Sequence, residues 1–197
     1  MKKNWIAAGL LRVMCLLLIP GPAQAHHLMD SGLPETFTQG LLSGLGHPVI
    51  GADHAAFIVA AGFFLALVDR GIWGVFGLIL GSLIGAALHL SGVGVPGVEA
   101  GVALTVMLVG SLIIAKRPLR LFWLVSGFVI AGALHGYAYA ETIFGAEVAP
   151  LGAYLIGFSI IQFALATAVF LVHRRLLVAP ALPSTVYSLS GTAVGLI

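Results

Sequence analysis

Apolar stretches close to the ~20 residues that a helix needs to span a bilayer alternate with short polar connections along almost the whole chain. They cover about residues 37–68, 72–90, 98–115, 119–139 and 148–172. A shorter, Gly-rich stretch at 184–197 completes a sixth if its helix begins nearer Leu176. The pattern predicts an all-α fold, a polytopic transmembrane helix bundle of about six spans. Residues 1–25 read instead as a cleaved signal peptide. Lys2 and Lys3 precede an apolar core over 6–19, and Ala23-Gln24-Ala25 forms a small-residue cleavage site. The competing reading, an uncleaved first helix, sits poorly with Pro20, Gly21 and Pro22 directly before that site. Residues 26–197 then form one membrane-embedded domain, and the mature chain starts at His26.

The basic residues test orientation independently, because cytoplasmic connections carry an excess of Lys and Arg. With the mature N-terminus in the periplasm, the connections after the first, third and fifth stretches face the cytoplasm. Arg70, Lys116, Arg117, Arg120, Arg174 and Arg175 all fall there, while Glu99, Glu141 and Glu147 fall at the outer ends. The expected location is the bacterial inner (cytoplasmic) membrane, with the lipid bilayer as solvent and an acidic outer face.

Composition agrees and narrows the chemistry. Only 8% of the 197 residues are charged and 60% are hydrophobic, where a soluble domain carries about 25% charged residues. The net charge of +2 and the lack of a basic patch with interleaved aromatics give no footing for nucleic acid. Cys15 is the single cysteine, so the mature chain has neither a disulfide framework nor a thiolate metal site. No His-Glu-x-x-His, Gly-x-Ser-x-Gly or Gly-x-x-x-x-Gly-Lys motif occurs, which removes support for a zincin-type protease, a serine hydrolase and an ATPase. The expectation is a protein that is not an enzyme and holds no prosthetic group; the sequence says nothing about oligomeric state. Glycines four apart at Gly40/Gly44, Gly77/Gly81/Gly85, Gly97/Gly101, Gly132/Gly136 and Gly191/Gly195 let transmembrane helices approach closely.

One interruption stands out inside the first stretch: Gly46-His47-Pro48-Val49-Ile50-Gly51-Ala52-Asp53-His54. Ionisable residues within a membrane are costly and mark functional sites by default. On an unbroken helix His47 and His54 would stand about 10 Å apart along the axis, too far to share one ion at bonds near 2 Å. Either Pro48 and Gly51 break the helix and assemble one site, or the histidines mark two stations in series; the first is the expectation. Asp53 either ligates beside His54 or fixes its tautomer, the plainer alternative being an Asp53–His54 bond that only stabilises packing. His135, near the end of the fourth stretch, is a further ligand candidate, although a backbone carbonyl would also satisfy it. Tyr137 and Tyr139 read equally well as interfacial belt residues. Glu99 opens the third stretch, where a helix cap competes evenly with a site role, and Glu141 closes the fourth. His26 and His27, beside the free amine of the mature start, offer accessory metal capture. His89 reads as a boundary residue and His173 as part of the basic cluster. Nitrogen and carboxylate donors without thiolate favour Ni²⁺ or Co²⁺ over Cu(I).

These residues resemble those of the HupE/UreJ family, described as hydrogenase and urease accessory proteins and nickel permeases. The likeness rests on His47-Pro48-x-x-Gly51-x-Asp53-His54, on His135-Gly136 followed by Glu141, and on Glu99 opening the third stretch. It covers essentially the whole mature chain, including the His-rich start. Ala140 departs from it, standing where the family pattern has glycine. The resemblance implies about six spans after a cleaved signal peptide, and uptake of Ni²⁺, or in some relatives Co²⁺, from the periplasm. The combined expectation is a secondary, ATP-independent permease. The ion is its cargo, gathered at the acidic outer surface and passed to His47, Asp53 and His54, with His135 facing them. Uptake should weaken at acidic pH as the imidazoles protonate. A non-transporting metal-binding accessory or sensor protein acting through His26 and His27 is the alternative from another class. An intramembrane metalloenzyme is a third, with Asp53 its one evident acid or base.

Overall fold

The computed structural model describes residues 32–115 and 119–178, the side chains of 176–178 excepted. The expected signal peptide, His26, His27 and the 184–197 stretch lie outside the described residues. The described chain is helical throughout: α1 Phe37–Ile50, α2 Ala52–Ala66, α3 Ile72–Leu90, α4 Val98–Ala115, α5 Leu121–Glu141 and α6 Val148–Val178. The start of α1 follows from a Thr-x-x-Gln capping box. Gln39 N–H donates to Thr36 Oγ1 at 3.2 Å, and Thr36 N–H donates to Gln39 Oε1 at 3.1 Å.

Helices α3, α4, α5 and α6 are each long and apolar enough to cross a membrane, whereas α1 and α2 pass that test only together, bent by 75°. Such a pair is either a broken span or a re-entrant loop, and its packing against α6 distinguishes the two. Gly40 lies on Pro150, Gly44 on Tyr154 and Gly62 on Ala166. Phe63 stacks on His173 at 3.7 Å between ring centroids. Arg174 donates to the Ala66 and Val68 carbonyls at 3.3 and 3.2 Å and pairs with Asp69 at 3.8 Å. The partners rise in number together, so α1 and α2 follow α6 from one end to the other. A re-entrant loop would come back to the end where it started. Counting α1 and α2 as one, the described residues hold up to five candidate membrane spans, against an expected six, and the sixth stretch is outside the described residues.

Helices α3 and α5 are parallel in the same way, with Gly77 against Val125, Gly81 against Val129 and Gly85 against Ala133. A Cβ at Gly81 or Gly85 would collide with the backbone of α5, and one at Gly132 or Gly136 with that of α3. In lipid, dispersion across such close approaches replaces the hydrophobic effect as the force between helices. The four-residue spacing thus marks real contacts at Gly40/Gly44, Gly77/Gly81/Gly85 and Gly132/Gly136. It does not at Gly97, which has open space around it and turns the chain at φ 75° into α4, or at Gly101, which meets only the Leu134 side chain. Gly191 and Gly195 fall outside the described residues.

Parallel pairing of the first crossing with the fifth, and of the second with the fourth, is what an alternating up-and-down chain requires. It gathers Arg70, Arg120, Arg174 and Arg175 at one end and Glu35, Glu99, Glu141 and Glu147 at the other. Phe57, Phe64, Leu65, Leu78, Leu124 and Phe128 belong to an apolar core that reaches towards the Arg-bearing end. Leu104, Phe122, Trp123 and Ile130 lie exposed on the outside, as lipid contact demands.

Candidate metal centre

Gly51 is the hinge. At φ −66° and ψ 107° it places one extended residue between α1 and α2. Its N–H still donates to His47 O at 3.1 Å and its carbonyl accepts from Ala55 N–H at 2.8 Å, so the backbone stays bonded through the bend. Of the two residues expected to break the helix, Gly51 carries the bend, and Pro48 is buried inside α1, three residues before it. Lacking an N–H, it leaves the Gly44 carbonyl without a helical donor, which weakens the turn that Gly51 then bends.

The bend replaces the ~10 Å offset of a straight helix with a 5.8 Å separation between the ring centroids of His47 and His54. α5 brings a third imidazole. His135 Nδ1 lies 2.8 Å from His54 Nδ1 and His135 Nε2 lies 2.9 Å from Thr105 Oγ1 of α4. Phe57, one turn after His54, stacks on the His135 ring at 4.1 Å and 23°. Tyr139, one turn after His135, covers His54 at 4.5 Å and His47 at 5.4 Å. His135 is wholly buried and His54 nearly so; His47 is partly buried and nearer the acidic end. There Thr142 Oγ1 lies 3.4 Å from His47 Nδ1, and Tyr154 Oη donates to Tyr139 O at 2.8 Å. His135 stands six residues before the end of α5, about 9 Å inside the acidic end.

The cluster offers imidazole nitrogens in a largely buried place. Two nitrogens bound at right angles to one ion with bonds of about 2.1 Å sit about 3 Å apart, close to the 2.8 Å between His54 and His135. In this arrangement a shared proton fills that gap. Among the described residues, no three His, Cys, Asp or Glu side chains already converge on one ion position. Tyr139 Oη, beside the imidazoles, is buried and has no hydrogen-bond partner among the described residues.

Residues 14–197 match the family described as HupE / UreJ protein. The chain belongs to the HupE/UreJ family. Protein HupE of Rhizobium leguminosarum bv. viciae is 33% identical over 132 residues, 64% of this chain and 63% of that protein. The alignment thus spans less than two thirds of the relative's length. No solved structure matches the chain.

Of the positions carrying the family resemblance, the fold brings together His47, His54 and His135. Asp53 stays exposed at the first turn of α2, its Oδ1 accepting from the backbone N–H of His54 at 2.8 Å. Glu99 and Glu141 are exposed at the acidic ends of α4 and α5. His173 departs from its expected place in a solvated basic cluster: it is buried against Phe63, while Arg174 and Arg175 keep to the end of the bundle. Tyr137 and Tyr139 are buried, so neither is a belt residue. Thr105, Tyr154 and the fully buried Ser82–Gln162 pair, bonded at 3.1 Å, went unrecognised. The signal for Thr105 was available: it is the one polar residue on the stripe Val98, Val102, Thr105, Val109 that α4 buries.

Proposed function

We propose that this protein is a secondary permease that imports Ni²⁺ or Co²⁺ across the bacterial inner membrane, without ATP, to supply hydrogenase or urease maturation. The observation that supports this most is the meeting of three imidazoles from α1, α2 and α5 at a break in a membrane-crossing helix. Ionisable residues inside a bundle are costly and so mark functional sites by default, and non-helical backbone at that depth survives only against protein or a wet cavity. Membership of the HupE/UreJ family supports the same reading. The ion arrives from the acidic, periplasmic end, meets His47 near Thr142 and Tyr154, and passes to His54 and His135. Neutral nitrogen donors suit a cargo that must leave again, because they bind borderline cations without the tight grip of thiolate. Glu99 and Glu141 gather the cation at that end. Initial rates of ⁶³Ni²⁺ uptake by cells expressing His54→Ala test the proposal. Uptake is expected to fall to the vector background; uptake equal to wild type at equal protein level overturns it.

A further inference from the structure

The position of one proton follows from the distances around Thr105. Thr105 Oγ1 lies 2.6 Å from the Val102 carbonyl oxygen, three residues earlier in α4. Two oxygens approach that closely only with a proton between them, and a carbonyl has none to give, so the threonine hydroxyl donates to Val102 O. A hydroxyl carries a single proton. Towards His135 Nε2, 2.9 Å away, Thr105 Oγ1 is therefore an acceptor, and Nε2 carries hydrogen. In a neutral imidazole the other nitrogen is then bare. That nitrogen is His135 Nδ1, which accepts from His54 Nδ1–H at 2.8 Å. The ring cannot exchange its two edges easily, because it is fully buried and Phe57 lies flat against it.

We infer that Thr105 is a positioning residue: through the Val102 carbonyl it holds His135 in the Nε2–H tautomer and aims the Nδ1 lone pair at the ion. A metal-ligating histidine needs its far nitrogen held by an acceptor to fix tautomer and ring orientation, and α4 supplies this one. The role of the lone pair rests on the permease reading; the tautomer rests on the distances alone. His54 stands on the opposite side of the pair, donating from Nδ1–H in the metal-free protein; to offer Nδ1 to the ion it must pass to the Nε2–H tautomer, losing the Nδ1 proton to water and taking one up at Nε2. The two histidines are thus not equivalent: His135 is preset for the ion, and His54 must change.

The test uses the full-length, metal-free protein in micelles, labelled with ¹⁵N-histidine, with the His135 signals identified by their absence from His135→Ala. Wild type is expected to show a pyridine-type nitrogen at Nδ1 and a pyrrole-type nitrogen at Nε2 of His135. Thr105→Val, which keeps the shape and loses the hydroxyl, is expected to lose that pattern, and Thr105→Ser to restore it. In cells, Thr105→Val is expected to raise the KM for ⁶³Ni²⁺ by about 10–100-fold, the usual effect of removing such a partner, with Thr105→Ser near wild type. A protonated Nδ1 in wild type, or the wild-type pattern retained in Thr105→Val, overturns the inference. If the valine variant does not fold, the wild-type and serine spectra decide. Wild-type uptake by His54→Ala would remove the permease reading and leave the tautomer to be judged by the spectra.

Discussion

A methyl group at Gly51 should weaken metal uptake without replacing a ligand. The hinge conformation, φ −66° and ψ 107°, lies at the edge of the region open to every L-residue, so alanine adds no appreciable backbone strain. Its Cβ, however, would stand 2.7 Å from His54 Cδ2 and 3.4 Å from Asp53 Oδ1. The imidazole must give way by about 0.7 Å to regain an ordinary contact of 3.4 Å. It has little room, since Tyr139 and His135 pack against it at 4.5 and 5.0 Å between centroids. A move of that size spoils the 2.8 Å geometry between His54 and His135. Misplacement approaching 1 Å at a reacting centre costs up to about 100-fold, so a shift somewhat smaller should raise the KM about tenfold, or ~1.4 kcal/mol. Initial rates of ⁶³Ni²⁺ uptake over a range of concentrations, at protein levels matched by immunoblot, measure it. An unchanged KM in Gly51→Ala would refute the argument that the hinge sets the position of His54.

Two further substitutions test packing. Gly85→Ala places a Cβ against the O, C and Cα atoms of Ala133, where only a shift of α3 away from α5 relieves it; thermal unfolding in detergent should show a loss of about 1–3 kcal/mol, while Gly110→Ala, with open space around it, should show none. Tyr139→Phe removes a buried hydroxyl that has no partner among the described residues and keeps the ring over His47 and His54. Its metal-free stability should equal or exceed that of wild type, since an unmet hydroxyl costs about 1–3 kcal/mol, and a lower melting temperature would show that the hydroxyl is bonded after all.

The chain's organisation was legible because hydrophobic length and basic-residue placement are local signals. Helices α3 and α4 run over the expected residues, and α5 and α6 differ only at their ends. The opposed clusters of Arg and Glu follow from the order of the connections alone. What periodicity could not give was which crossings pair. The near-backbone contacts of Gly40, Gly81 and Gly85 arise from the tertiary fold, and the same four-residue spacing at Gly97/Gly101 leads to nothing comparable. The site shows the same division. Its histidines are visible as costly residues in an apolar run, and so is a break between Pro48 and Gly51; that the bend falls at Gly51 alone is not. Proline signals its own missing donor, whereas glycine is needed here because the His54 ring comes close, and that is visible only once the two helices are in place. Thr105 reaches His135 across 30 residues of sequence, and no short motif could report the pair.

The break also creates an electrostatic problem that gives Asp53 a reason to be where it is. Opening the helix at Gly51 exposes the N-terminus of α2, which carries roughly half a positive charge, within one turn of His54. A cation held by the imidazoles would be repelled by it. Discontinuous transmembrane helices meet cations more favourably at their C-terminal ends, and here the end of α1, with His47 in its last turn, faces the same region. Asp53 lies in the first turn of α2 and takes the His54 N–H on its Oδ1 at 2.8 Å. It so satisfies one free donor and places a full negative charge against the partial positive one. Asp53→Asn separates the two effects, because asparagine keeps an oxygen for the N–H and loses only the charge. If the charge is what matters to the ion, the variant should fold with a stability loss of no more than about 1 kcal/mol and yet take up ⁶³Ni²⁺ with a KM raised several-fold or more. Uptake matching wild type would reduce Asp53 to a helix cap, and the ion's charge would then have to be balanced elsewhere in the cluster.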